Sequence, residues 1–250
     1  MHIKEKKMSK SYGDIIISFD LEWTKNYKIK NGNKPFCFSY IYFYYPTFPK
    51  RIEDLEFGFI SHYVENIDEI SDLVENADTF LHSFLNQNGI ILGHQLSSDI
   101  SVILRYSNQP KTTNFSELKE LWHRRKTVDI FSKLRVFDTR YDMETFLKQK
   151  SRRLVDVCDE FSFIVTQPEL AYSMTKMQNM YYANKDVSIM EKLSVLNLRH
   201  SLSAALLFLY HQNGKKPQKR INVNKIVYRN LKDYYGYVNS KEFKALLNEG

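Results

Sequence analysis

The residues most able to do chemistry in this chain stand at the end of an apolar run. Residues 15 to 24 read Ile-Ile-Ile-Ser-Phe-Asp-Leu-Glu-Trp-Thr, with Asp20 and Glu22 separated by one position. Alternate side chains of a strand share a face, so a strand here projects both carboxylates to the same side. Two like charges held side by side are unfavourable without a cation between them. Aligned carboxylates are the ligands that hard divalent ions such as Mg²⁺ take, and such ions are suited to cleaving phosphodiesters. A frayed strand end carrying two ordinary solvated acids is the competing reading.

Two further segments extend the acidic set. Gly93-His94-Gln95-Leu96-Ser97-Ser98-Asp99 follows a short apolar run and opens a helical pattern, so Asp99 falls in the first turn of a helix that can aim a carboxylate back over the sheet edge. An Asp there also complements the helix dipole with no further role. In Tyr181-Tyr182-Ala183-Asn184-Lys185-Asp186-Val187, Tyr182 and Asp186 are four apart, and on one helix they share a face and can enter the same site.

An acidic strand, then Gly-His-x4-Asp at a strand-to-helix junction, then Tyr-Ala-x-x-Asp-Val before a long helix resembles the DEDD superfamily of 3′→5′ exonucleases. The resemblance is to the subgroup with a tyrosine in its third motif, which includes ribonuclease D and the proofreading domains of DNA polymerases. It assigns Asp20 and Glu22 to the first motif, Asp99 to the second, and Tyr182 with Asp186 to the third. It implies a ribonuclease H-like α/β fold and two Mg²⁺ or Mn²⁺ ions held by Asp20, Glu22, Asp99 and Asp186. Tyr182 would orient the attacking water, and the reaction would release nucleoside 5′-monophosphates from single-stranded DNA or RNA with a free 3′ end. His200-Ser201-Leu202-Ser203-Ala204-Ala205 resembles the histidine form of the third motif, but Ala205 stands where that form requires an Asp. The tyrosine alignment supplies both expected residues, so His200 is assigned no catalytic role. Asp138 is expected to cap or hydrogen-bond rather than to bind metal.

The elements that must position these residues follow from periodicity. An acidic strand and the aromatic strand Phe36 to Tyr45 flank the turn signal Asn31-Gly32-Asn33 and form a hairpin. Phe57 to Val64 is a third strand, and Asp68 to Asn88 has helical spacing. Ile90 to Gly93 is a buried strand, and its strand-helix-strand connection adds a parallel pairing, giving a mixed sheet flanked by helices. A helix from Ser97 closes near Asn108 and Pro110, Leu134 to Thr139 is a strand, Leu154 to Phe161 a short helix, and Val187 to Tyr210 a long one. Residues 1 to 12 read as a charged tail, 13 to 213 as the exonuclease-like domain, and 214 to 250 as a basic extension.

Composition narrows the partner. A net charge of +7 beside 17 Tyr and 17 Phe suits nucleic acid, since Lys and Arg neutralise phosphates while rings stack on unpaired bases. His94, the run Trp122-His123-Arg124-Arg125-Lys126, and Lys215 and Lys216 with Lys219 and Arg220 are the expected nucleic-acid contacts, and Tyr234 and Tyr235 lie beyond them. Cys37 and Cys158 are the only cysteines, too few for a disulfide framework or a Cys-rich zinc site. No signal-peptide pattern opens the chain and no run of some 18 apolar residues is present, so an intracellular, reducing compartment such as the cytoplasm is expected. Phosphate-loop, nucleophile-elbow and His-Glu-x-x-His patterns are absent. Two other functions fit the same motifs: a non-catalytic nucleic-acid-binding module with a weakened site, and the proofreading domain of a polymerase.

Overall fold

The computed structural model describes residues 1–8, 13–26, 32–45, 51–107, 113–127, 134–143, 151–214 and 216–249. Asn31, Asn108, Pro110 and Lys215 of the sequence reading lie outside them. A six-stranded mixed sheet forms the centre, in the order β1 (His2–Lys6), β4 (Gly58–Tyr63), β3 (Lys34–Tyr45), β2 (Asp14–Thr24), β5 (Gly89–Gly93), β6 (Leu134–Asp138). β2 pairs antiparallel with β3 and parallel with β5, and β5 pairs parallel with β6, so the expected hairpin and the expected parallel addition meet on β2. This is an α/β fold with helices on both faces, compatible with the ribonuclease H-like arrangement.

Alternation along β2 decides which face carries the site. Ile15, Ile17, Phe19 and Leu21 pack with α1 (Ile70–Leu85), α2 (Leu96–Tyr106) and α3 (Thr113–Arg124) on one side. Ile16 packs on the other side with α6 (Val187–Gln212), and Asp20 and Glu22, at even positions, share that face. Each large apolar side chain buried in these two layers contributes roughly 1.5–3 kcal/mol, so a one-residue slip of β2 would bury both acids in the apolar layer and turn Phe19 and Leu21 toward the cleft. Gly93 closes β5 where a side chain would not fit: a Cβ there would lie 2.8 Å from the Phe19 carbonyl oxygen.

α6 is apolar almost all round because it is covered on both sides. It lies against β2 and β3, while α4 (Leu154–Glu160), α7 (Val223–Leu231) and the turn at 236–239 pack on its back. Among the described residues it is the one helix long and apolar enough to cross a membrane by length and composition, and 89% of that apolar window is buried inside the fold.

Both ends of the chain depart from the sequence reading. Residues 2–6 form edge strand β1 rather than a solvated tail, pairing antiparallel with β4, and Lys6 Nζ donates to Asn230 Oδ1 at 3.0 Å. A short strand rich in Lys and Glu suits a sheet edge because its charges discourage further strand pairing. Residues beyond 220 are no appendage: β8 (Ile221–Asn222) pairs with β7 (Phe163–Ile164), and α7 and α8 (Lys241–Leu246) insert Val223, Ile226, Leu231 and Phe243 into the core. Tyr235 is buried and Tyr234 packs edge-on to Phe59 at 5.0 Å, so neither ring is placed to stack on a base.

Candidate metal centre

Asp20 and Glu22 end the regular part of β2, and the pairing with β3 shifts register immediately after Glu22. Such an irregularity re-aims a strand end. α6 approaches them from the same face, seated on β3 by a buried 2.7 Å bond between the hydroxyls of Ser201 and Ser39, the residue paired with Asp20. One turn earlier on α6, the Asn197 amide donates to Asp20 Oδ2 at 2.6 Å. His200 Nδ1 lies 2.9 Å from Glu22 Oε1 and 3.5 Å from Asp20 Oδ2. One ligand atom from each of Asp20, Glu22 and His200 lies within 4.8 Å of the other two. Oxygens at about 2.1 Å from one Mg²⁺ stand at most about 4.2 Å apart, so a contraction of well under 1 Å would bring the three onto one ion.

Asp99 lines the same cleft from the first turn of α2, but it stands outside the group of Asp20, Glu22 and His200 whose ligand atoms come within 4.8 Å of one another. It is buried, accepts from the Leu21 backbone N–H, and leaves Oδ2 with no hydrogen-bond partner. Burial, followed by the charges of Asp20, Glu22 and Asp138, pushes its carboxyl well above the usual carboxylate range. Burial also raises Glu22, with His200 opposing and Asp20 adding to the rise. His200 moves the other way: burial disfavours its charged form, but contacts with Asp20 and Glu22 outweigh this and raise its pKa to about 10. The imidazolium thus offsets one of the two acidic charges, in the place where a divalent ion would offset both. A buried carboxylate oxygen without a partner, in a cleft that two further carboxylates line, fits what such an ion requires of its ligands.

The turn before α2 is built around Asp138. Gln95 adopts a left-handed conformation (φ 64°, ψ 38°), and its N–H donates to Asp138 Oδ1 at 2.9 Å. Arg140 N–H donates to the same oxygen, and Trp122 Nε1 donates to Oδ2 at 3.0 Å. Asp138 is therefore a hydrogen-bonding acid, as expected. The strained Gln95 backbone is held by these bonds directly beside the site.

The centre lies in an open cleft of about 680 Å³. One wall is β2, His94 and Gln95; the other is Leu170 to Thr175, which runs into the first turn of α5 (Met174–Asn184). Lys25 N–H donates to Thr175 Oγ1 at 2.8 Å, tying the two walls at one end. The second wall is anchored from below by Glu169, whose carboxylate takes two 2.7 Å bonds from Arg199, both side chains having no exposure at all. Arg199 precedes His200, so this ion pair fixes the wall to the helix that carries the site. Leu170 and Tyr172 are nearly half exposed on the wall.

Other residues assigned from the sequence are not brought to the centre. Asp186 is exposed and caps α6, accepting from Ser188 N–H at 2.8 Å. α5 ends at Asn184 and Lys185 turns left-handed (φ 53°), so Tyr182 and Asp186 do not share a helix and the spacing of four does not align them. Tyr182 packs against the core beside Tyr181, outside the cleft. Ala205 is fully buried in the core. The α6 residues facing the acids are Asn197, which sequence reasoning missed, and His200, which it gave no role. Their spacing of three on one helix face, with His200 already singled out by the histidine motif, was the available signal.

The expected nucleic-acid contacts are divided. His94 lines the cleft, but Nε2 lies 2.9 Å from the Arg152 carbonyl and Nδ1 2.9 Å from Thr139 Oγ1, and burial lowers its pKa to about 4. Its ring is thus a neutral strut rather than a phosphate contact. Arg125 pairs with Asp142 at 2.9 Å and covers the Trp122 ring at 4.0 Å, so it braces the Asp138 network. Arg124 and Lys126 are exposed, while Lys216 is held by Glu160 at 3.2 Å. No protein-family model matches the chain, and no curated protein shows significant sequence similarity to it.

Proposed function

We propose that the cleft is a divalent-metal site that hydrolyses the terminal phosphodiester of a single-stranded nucleic acid from its 3′ end, releasing nucleoside 5′-monophosphates. The observation that carries this reading is one cleft lined by Asp20, Glu22 and Asp99, with Asp99 Oδ2 left without a hydrogen-bond partner. Asp20, Glu22, Asp99 and His200 would hold Mg²⁺ or Mn²⁺. A bound ion supplies Lewis acidity at a phosphoryl oxygen and lowers the pKa of a coordinated water. His200 Nδ1 lies 2.9 Å from Glu22 Oε1, and the ring would have to give up any proton held there on becoming a ligand. The cleft is of small-ligand size, and Tyr172 and Leu170 offer a wall against which an unpaired base can lie. The net charge of +7 favours a polyanion.

A second reading, a nucleic-acid-binding module without turnover, is favoured by one feature: α6 presents an amide, Asn197, to Asp20 where a further carboxylate would strengthen ion binding. Incubating a 5′-labelled single-stranded oligonucleotide with the protein and Mn²⁺ separates the two. Progressive 3′ shortening supports the exonuclease; retention of full-length strand with saturable binding supports the module.

A further inference from the structure

We infer that Asn197 limits the cleft to a single divalent ion in the absence of nucleic acid; this rests on the metal reading above. A carboxylate bridges two ions by giving one oxygen to each. Asp20 Oδ2 already accepts from the Asn197 amide at 2.6 Å, so that oxygen is not free for a second ion. The amide is not free to withdraw. Asn197 has no solvent exposure, its Oδ1 lies 3.8 Å from Cys37 Sγ, and the Ser201–Ser39 bond one turn on fixes the helix against β3.

Charge ties the second ion to the substrate. Asp20, Glu22 and Asp99 together bring three negative charges, and a neutral amide adds none in either orientation. One divalent ion leaves these groups one net negative charge, and two leave them one net positive charge. Uncompensated charge in such a site is costly, and the positive excess is the one that a bound phosphate balances. A second ion would then enter only with a phosphate to balance it. Replacing Asn197 by Asp should remove the donor and supply the missing charge at the same position, opening a second site.

Counting free Mn²⁺ by electron paramagnetic resonance during titration of the full chain, without nucleic acid, tests this. The expected result is one ion per chain for the wild type and two for Asn197→Asp, with circular dichroism confirming that the variant is folded. Two ions on the wild type, or one on folded Asn197→Asp, would overturn the inference while leaving the metal site standing. No ion on either protein would instead refute the metal reading and the count with it. Should Asn197→Asp not fold, the wild-type count alone decides.

Discussion

Arg199→Met should destabilise the protein severely, because it leaves the Glu169 carboxylate buried and uncompensated. Both side chains have no exposure, and the two bonds between them are 2.7 Å long. Removing one partner of such a pair costs roughly 3–5 kcal/mol, whereas replacing both by apolar groups of similar volume is often close to neutral. Against a total stability of about 5–15 kcal/mol, the single variant loses a large share, equivalent to a fall in melting temperature of about 10 °C for a chain of this size. The double variant Arg199→Met, Glu169→Leu should recover most of it. Urea unfolding followed by circular dichroism gives the four corners of the cycle. The pair also anchors the Leu170 to Thr175 wall, so the single variant should raise KM more than it lowers kcat at a temperature where it is still folded. A single variant within about 1 kcal/mol of wild type, or a double variant no better than the single, would show that the pair neither carries a buried charge nor anchors the wall.

His62 is buried between Phe38 and Phe80 with no hydrogen-bond partner on either ring nitrogen, and burial lowers its pKa to about 4. The folded state then binds fewer protons than the unfolded one between the ordinary value of 6.5 and about 4, so stability is lost as pH falls through that window. Linkage gives a loss of about 2 kcal/mol between pH 7 and pH 5, which His62→Phe should remove; equal losses in the two proteins, read from urea midpoints, would contradict it. Asp186→Asn should keep full activity, since Asn caps a helix as well as Asp, and Asp186→Ala should cost only about 1 kcal/mol, while His200→Ala should lower turnover by at least tenfold. An inactive but folded Asp186→Asn beside an active His200→Ala would restore the tyrosine assignment. Tyr172→Ala should raise KM for a short oligonucleotide several-fold, stacking on one base being worth about 1–3 kcal/mol, with little change in kcat; an unchanged KM would remove Tyr172 from the substrate path.

The sheet was legible because its strands are apolar runs with turn signals between them, and because Asp20 and Glu22 break that pattern at the end of one run. Asp99 was legible from its place in the first turn after a buried strand. The assignment of Tyr182 and Asp186 rested on a helix that continues through Lys185; the left-handed residue there divides it, and a lysine gives no composition signal for such a break. His200 was visible as a motif but set aside because Ala205 is not an acid, whereas the structure uses the helix face of positions 197 and 200 and buries position 205 in the core. Residues beyond 220 read as an extension because their charges are conspicuous, although the apolar positions between them, Val223, Ile226, Val227 and Leu231, carry the packing.

The account turns on Asp99, which lines the same cleft as Asp20 and Glu22 and leaves Oδ2 without a hydrogen-bond partner. Cleavage of a 5′-labelled single-stranded oligonucleotide in Mn²⁺, by wild type and by Asp99→Asn, tests it most directly, because Asn preserves the shape and removes only the charge. Wild type should shorten the strand from its 3′ end, excess chelator should stop it, and folded Asp99→Asn should be slower by orders of magnitude. Undiminished cleavage in chelator or by Asp99→Asn, or no cleavage by the wild type at any Mn²⁺ concentration, would contradict the assignment of this cleft as a metal-dependent nuclease site.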